Sequence, residues 1–143
     1  MMRIAAVIDR LKGKFYPGLF ADVSGLGAVP AKPDAVRWQN RAYVSPLSDL
    51  VGDNNAGTGV VSQRIVRVVR VLIGFTRQNP RKMGNLDGIE DVVEAVKANL
   101  IGWTPEGENA PVEYVASRII YQDLETGILI WGVDVGCPYY LEE

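Results

Sequence analysis

Three arginines spaced three residues apart, Arg64, Arg67 and Arg70, are the side chains with the clearest capacity for chemistry in this sequence. They lie in a run rich in Val, Ile and Leu over residues 60–75, a composition typical of a long β-strand. Side chains alternate between the two faces of a strand, so Arg64 and Arg70 share one face and Arg67 points to the other. Such guanidinium groups either stay solvated and protect the strand from edge aggregation, or form contacts with a neighbouring subunit.

Catalytic chemistry finds little support in the sequence. The chain contains no histidine, which excludes Ser-His-Asp and Cys-His catalysis and histidine-ligated zinc. General acid–base pairs need carboxylates held rigidly in a partly desolvated cleft, a setting that nothing in the sequence indicates. We therefore predict that the protein is not an enzyme and has no catalytic residue, no cofactor and no metal site. The carboxylates considered are Asp49, Asp53, Glu90, Asp91, Glu106 and Glu108.

The single cysteine and the most glycine-rich segment also fit structural roles. Cys137 has no histidine to activate it and no second cysteine to pair with, so we predict a structural thiol. The segment 52–59 lacks the Gly-Lys-Ser/Thr ending of a phosphate-binding loop and precedes a strand rather than a helix. We interpret it as a hairpin tip or an interface loop that includes Asn54 and Asn55.

Charge argues against a nucleic-acid-binding or membrane-binding role. Fifteen basic and seventeen acidic residues give a net charge of −2, which does not attract phosphate or anionic lipid in general. Aromatic platforms that stack bases normally accompany a basic groove, so Trp38 and Tyr43 are expected to anchor a core or an interface. No apolar run suits a membrane span or a signal peptide, which predicts a soluble, unexported chain.

The elements that must position these residues begin with an amphipathic helix over residues 2–15. A loop rich in glycine and proline follows over 17–33, with a short extended piece at 19–23. A first strand is predicted within 35–44 and ends at Ser45-Pro46. The next strand, 60–75, could reach about 50 Å at about 3.3 Å per residue, so one of its ends is expected to project beyond the body.

The sequence of the second half of the chain predicts a helix followed by a β-hairpin. The helix covers 88–101, with Asp87 as its N-cap and Gly102 just after its end. Strands at 114–124 and 128–135 flank a turn that contains glycine, and Pro138 ends regular pairing unless it lies at an edge.

This order of elements, α-β-β-α-β-β, predicts an α+β fold. We expect an antiparallel four-stranded sheet with two helices packed on one face and a long projecting central strand. No repeat or long linker divides the chain, so residues 1–143 are expected to form a single domain with a sheet-and-helix body over 34–143.

Five motifs follow one another along the chain in a distinctive order. They are Arg41-Ala-Tyr-Val-Ser-Pro-Leu-Ser-Asp49, the segment 52–59, Ser62-Gln63-Arg64, Leu100-Ile-Gly-Trp-Thr-Pro105, and the Trp-bearing last strand after an acidic turn. In this order and spacing they resemble the tail terminator-like proteins of Mu-like contractile phages. The resemblance covers residues 35–143 and extends more loosely to the N-terminal helix.

The resemblance implies a structural role in a virus particle. Members of the family have an α+β fold and assemble as a hexameric ring on the head-proximal end of the tail tube. The ring stops polymerisation of the tube protein, and of the sheath in contractile tails. It presents a surface to neck or head-completion proteins, while DNA passes through the lumen without specific binding. The chain is then expected in the virion tail, after assembly in the host cytoplasm.

A ring needs two different surfaces on each subunit, and a projecting strand that meets a neighbour's sheet edge would supply them. The alternatives are another head–tail connector or neck component, a small ligand-binding accessory module with the 52–59 loop over a pocket, and, with least support, a histidine-free enzyme. The residues expected at a subunit or partner interface are Arg64, Arg67, Arg70, Asn54, Asn55, Trp38 and Tyr43.

Overall fold

The computed structural model describes residues 1–15, 20, 22–25, 38, 40–54, 62–76 and 86–142. These residues form two helices and five strands. In chain order they are α1 (Ile4–Phe15), β1 (Asp22–Gly25), β2 (Arg41–Asn54), β3 (Ser62–Thr76), α2 (Leu86–Leu100), β4 (Glu113–Asp123) and β5 (Ile128–Glu142). Neither helix of this described part has the length and apolar character needed to cross a membrane.

The strands form one mixed sheet in the order β1-β2-β3-β5-β4. β1 pairs with β2 in parallel, and the other neighbours are antiparallel. The α+β class is confirmed, but the prediction of four antiparallel strands in the order α-β-β-α-β-β is wrong. The additional strand β1 lies inside the segment 17–33, which was predicted as a loop with a short extended piece at 19–23, and it overlaps that piece at residues 22–23. It has only four residues, of which Val23 alone is buried, so it is too short to show an alternating pattern.

Both helices pack on one face of the sheet, here called the helix face. The spacing of apolar residues predicts the buried side of α1 correctly, since Val7, Leu11 and Phe15 are buried. The strands contribute alternate residues to the same core, as a half-buried sheet requires. The members from α2 and β3 are Ile89, Val92, Val93, Val96, Leu100, Val69, Val71, Ile73 and Phe75.

The prediction for α2 is wrong at its N-terminal end and correct at its C-terminal end. The helix begins at Leu86, so Asp87 lies within its first turn and the assignment of Asp87 as N-cap is wrong. Aspartate is favoured both at the cap and in the first turn, so sequence pattern does not separate the two positions. The C-terminal prediction is confirmed, because Gly102 follows the helix with φ of 86°.

Two prolines lie inside strands. β2 continues through Pro46 to Asn54, so the prediction that it ends at Ser45-Pro46 is wrong. The pairing with β3 shifts register between Pro46 and Ser48, and β1 pairs with β2 only as far as Val44, so Pro46 lies at an irregular edge position that tolerates proline. β5 continues past Pro138, but its pairing with β4 ends at Gly136. Pro138 therefore has only β3 beside it among the described strands, which is the edge position that the prediction allowed.

Candidate assembly surfaces

The sheet extends beyond the core that the helices cover, at the end where β3 begins. On β5 that core reaches Cys137, which pairs with Arg67, so residues 62–66 of β3 continue past it. At about 3.3 Å per residue, this extension is roughly 15 Å long. β2 and β5 flank it, with Leu50 opposite Val66 and Tyr140 opposite Arg64. The extension is thus three strands wide.

Large apolar side chains are exposed on both faces of this extension. Leu50 and Tyr140 lie on the face opposite the helices, whereas Val51 and Leu141 lie on the helix face, as strand alternation dictates. We name the whole set the sheet tip; its exposed fractions run from 42% to 63%. Its members are Leu47, Leu50 and Val51 on β2, and Tyr140 and Leu141 on β5.

A second apolar surface lies along β4, which is the outermost strand on the side of the sheet opposite β1. We name it the edge row; its exposed fractions run from 38% to 73%, and its members are Tyr114, Val115, Ile119, Ile120 and Leu124. The register of β4 with β5 shifts between Tyr114 and Ala116 and again between Ile119 and Tyr121. Of the twelve large apolar side chains exposed in the described part, ten belong to the sheet tip or the edge row.

The sequence reasoning missed both apolar surfaces. A usable signal existed in β4, where Tyr114 is followed by Val115 and Ile119 by Ile120. Adjacent residues of a strand point to opposite faces, so such doublets cannot all be buried on one side of a sheet. A strand with apolar residues on both faces is therefore either central or covered by a partner.

The predicted interface arginines form ion pairs within their own chain. The Nη2 atom of Arg64 lies 2.8 Å from a carboxylate oxygen of Glu113, and Nη1 of Arg67 lies 3.7 Å from Asp49. Arg67 lies opposite the core residue Cys137 on the helix face, which confirms that it points away from Arg64 and Arg70. The side chain of Arg64 is 40% exposed, against 20% for Arg67 and 15% for Arg70. Their contacts with a partner stay a prediction.

Arg70 makes the most buried of these pairs. Its Nε and Nη2 atoms donate hydrogen bonds of 2.7 and 3.0 Å to the two carboxylate oxygens of Asp134. This hydrogen bonding raises the pKa of Arg70, burial lowers it in part, and the charge of the carboxylate raises it further. A Cβ atom at Gly132 would lie 2.8 Å from Ile120, and one at Gly136 would lie 2.5 Å from Val66. Glycine on either side of Asp134 thus leaves room for these apolar side chains beside the ion pair.

Trp38 and Tyr43 belong to a smaller buried cluster. Their ring centroids lie 4.7 Å apart at an interplanar angle of 68°, and the cluster also contains Ile128 and Ile130. Both rings are 3% exposed in the chain, which fits the expected core anchoring, while a contact with a partner stays a prediction.

The two asparagines singled out in the sequence give no geometry for a site. Asn54 is the last residue of β2, and the structure does not describe its side chain. Asn55 lies outside the described residues.

Comparison with known proteins settles the family. The family model described as phage tail terminator protein matches residues 1–137. The chain belongs to the phage tail terminator family. It is therefore a structural protein of the phage tail and the virion, and the resemblance inferred from the five sequence motifs is confirmed.

A solved structure has a similar fold. This terminator resembles a chain in the structure titled "Virion of native gene transfer agent (GTA) particle", with a TM-score of 0.54 and 17% sequence identity. The similarity covers 96% of this chain and 93% of that chain, and at this identity it concerns the fold. A search of curated protein sequences finds no match.

The remaining reactive groups of this terminator lie in structural settings. Cys137 is buried, its thiol lies 3.4 Å from the carbonyl oxygen of Ala110, and burial raises its pKa to about 11. Such a thiol stays protonated and unreactive at neutral pH. Glu90 and Asp91 are exposed in the second turn of α2. Within the described ranges, no group of three or more cysteine and carboxylate side chains is placed to hold a metal ion.

Proposed function

We propose that the chain forms a six-membered ring on the head-proximal end of the phage tail tube. The ring stops the addition of tube subunits, and of sheath subunits in a contractile tail, and it provides the surface that joins the tail to neck or head-completion proteins. The observation that carries this proposal is the match of the tail terminator family to residues 1–137. The chain acts as a structural component and not as an enzyme.

The geometry supports a ring rather than a symmetric pair. A closed ring of more than two copies uses heterologous contacts, in which each copy offers two different surfaces. The sheet tip and the edge row are two such surfaces, because they lie on different strands and present different side chains. Each is apolar enough to favour contact with another protein.

Electrostatics support passage of DNA through the ring without tight binding. Affinity for DNA comes mainly from lysine and arginine side chains that neutralise phosphates. Here Arg64, Arg67 and Arg70 each face a carboxylate of the same chain. The net charge of −2 adds no general attraction for phosphate. A lumen built from such subunits would let DNA move through.

Electron microscopy of tails assembled with and without the chain tests the proposal. With the chain, we expect tubes of uniform length that carry a six-fold ring at one end. Without it, we expect tubes of variable and greater length. Tubes of the same length in both samples would contradict the tail terminator role.

A neck or head–tail connector component is the second candidate. The solved structure of similar fold is titled only as a virion, and that title does not say which position the similar chain occupies. The same experiment separates the two roles. A connector would leave tube length unchanged in its absence and would instead leave tails detached from heads. The family match favours either virion role over a small ligand-binding accessory module.

A further inference from the structure

We propose that the edge row of one copy packs against the sheet tip of the next copy, so that this contact, repeated around the ring, joins the subunits. The inference rests on the proposed ring and names the surfaces that would form it. The partner is a second copy of this chain. The contact is heterologous, because the edge row lies on β4 and the turn after it, and the sheet tip lies on β2 and β5.

The distribution of exposed apolar side chains is the first argument. Surface apolar residues are normally scattered singly, whereas contiguous patches indicate an interface. In the described part, all but two of the twelve exposed large apolar side chains fall into these two sets, the exceptions being Met1 and Ile101. A repeating head-to-tail contact requires two separate patches on each chain. Here few large apolar side chains are exposed outside the two sets.

The two sets match each other in size. Each contains five large apolar side chains, with exposed fractions of 42–63% in the sheet tip and 38–73% in the edge row. Within each set the side chains lie on both faces of the sheet, so a neighbour covers them by packing around the strand edge.

The positions of the patches in the sheet also fit a contact between different edges. β4 is the outermost strand on one side, and no described strand pairs with its outer side. On the other side, β1 pairs with β2 only as far as Val44, and the exposed β2 residues of the sheet tip follow that point. The β2 members of the sheet tip therefore lie at the side of the sheet opposite the edge row, whereas Tyr140 and Leu141 lie on β5, next to β4 in the strand order.

The register of β4 indicates the kind of contact. Its two register shifts interrupt the regular ladder of backbone groups that an added strand would need. Strand alternation also places the members of each apolar doublet, Tyr114-Val115 and Ile119-Ile120, on opposite faces of the strand. We therefore expect side-chain packing around the edge of β4 rather than continuous strand pairing between copies.

Paired charge variants test this contact. Ile119→Glu places a carboxylate in the edge row and Val51→Glu places one in the sheet tip. Leu124→Glu and Leu50→Glu serve as second variants should either of the first two fail to fold, as judged by circular dichroism. Ala5→Glu is the matched control, because it adds the same charge at an exposed position of α1 outside both patches.

Native mass spectrometry gives the readout. We expect the wild-type chain and the Ala5→Glu control to form the same six-membered assembly. Each patch variant alone should be monomeric, with its self-association weakened at least about 100-fold, because docking would bury an unpaired charge. An equal mixture of Ile119→Glu and Val51→Glu still contains one intact edge row and one intact sheet tip. It should form one-to-one pairs of twice 15.7 kDa and nothing larger.

Other outcomes would overturn the contact. Loss of assembly in Ile119→Glu but not in Val51→Glu would indicate a symmetric contact between edge rows. A mixture that stays monomeric would show that the two patches do not meet.

If the wild-type chain is monomeric in solution, the same variants are scored by tail length in electron microscopy. Normal tails from both patch variants would reject the docking contact and leave the terminator role intact. Tails unaffected by removal of the wild-type chain would reject the terminator role itself.

Discussion

Arg70 and Asp134 face each other across β3 and β5 and share two hydrogen bonds, with side chains only 15% and 4% exposed. They lie on the face of the sheet opposite the helices, and the two glycines of β5 on either side of Asp134 leave room for apolar side chains beside the pair. A buried ion pair offsets the cost of losing water only while both charges are present. The two residues therefore act as a unit in the stability of the sheet.

Removing one residue of this buried ion pair should lower the free energy of unfolding much more than removing one residue of an exposed pair. We expect Asp134→Ala to lower the free energy of unfolding by about 3 kcal/mol, because the guanidinium of Arg70 stays buried without its carboxylate. Urea unfolding followed by circular dichroism measures this loss. The double variant with Arg70→Ala should lose less than the sum of the two single variants. The control, Glu113→Ala, removes an exposed pair and should cost less than about 1 kcal/mol. Equal losses in Asp134→Ala and Glu113→Ala would contradict the role of burial.

Local sequence patterns correctly predicted the elements that depend on the spacing or type of their own residues. The stripe of α1, the long β3 and the glycine after α2 all follow from spacing or from a single residue type. The strand β1 was predicted only as a short extended piece at 19–23, because only its parallel pairing with β2 makes its four residues a strand of the sheet. Pro46 remained in β2 for a similar reason, since it lies beyond the pairing with β1 and at an irregular register with β3, where proline is tolerated.

The assembly surfaces were predictable only in outline. The projecting strand followed from the length of its apolar run, but the partners of its arginines did not. Arg70 and Asp134 are 64 positions apart in sequence, and no local pattern connects them. Whether an apolar strand residue is buried or exposed likewise depends on which strands become neighbours in the sheet.

The same substitution should have opposite effects at two helix glycines. Gly102 follows α2 with φ of 86°, a conformation that costs any L-residue energy. We expect Gly102→Ala to lower the free energy of unfolding by about 1 kcal/mol. Gly13 lies inside α1 with nothing within 4 Å of an added Cβ atom. There, alanine should raise the free energy of unfolding by about 0.5–1 kcal/mol, because it has the higher helix propensity. Thermal unfolding of both variants checks the signs, and a loss at Gly13 would contradict this account.

Gly74 should tolerate no side chain. A Cβ atom there would lie 2.2 Å from the carbonyl oxygen of Trp38, so the backbone at Trp38 or β3 itself must move. We expect Gly74→Ala to lower the free energy of unfolding by at least about 2 kcal/mol and to alter the tryptophan fluorescence. Gly25→Ala is the control in another strand, because the nearest atom to its Cβ, Cδ1 of Ile8, lies at an ordinary 3.5 Å. An unchanged fluorescence spectrum in Gly74→Ala would contradict the close contact with Trp38.

Alkaline pH should weaken the fold partly through Cys137. Burial raises the pKa of its thiol in the folded chain to about 11, from an ordinary value of 9.0. The folded state thus holds this proton more tightly than the unfolded state does. The resulting stability is fully present below pH 9 and is lost as pH rises from 9 to 11. We expect the wild-type chain to lose on the order of 2 kcal/mol more than Cys137→Ala over that range. Urea unfolding at several pH values measures the difference, and parallel pH profiles would contradict it.

Arg64 is the arginine that we expect to contribute to assembly rather than to the stability of its own subunit. Its side chain is 40% exposed, it lies in the three-stranded extension that carries the sheet tip, and Tyr140 is its direct neighbour on β5. An exposed ion pair contributes less than about 1 kcal/mol to folding, so Arg64→Ala should leave the free energy of unfolding nearly unchanged.

The matched control for Arg64 is its own partner in the ion pair. Glu113→Ala breaks the same 2.8 Å contact but keeps the guanidinium at the surface. If Arg64 contacts a neighbouring subunit, Arg64→Ala should impair ring formation or lengthen the tails, and Glu113→Ala should not. Native mass spectrometry and tail length in electron microscopy provide the two readouts. Normal rings and tails from Arg64→Ala would remove this arginine from the interface, and equal defects in both variants would assign the effect to the ion pair within the chain.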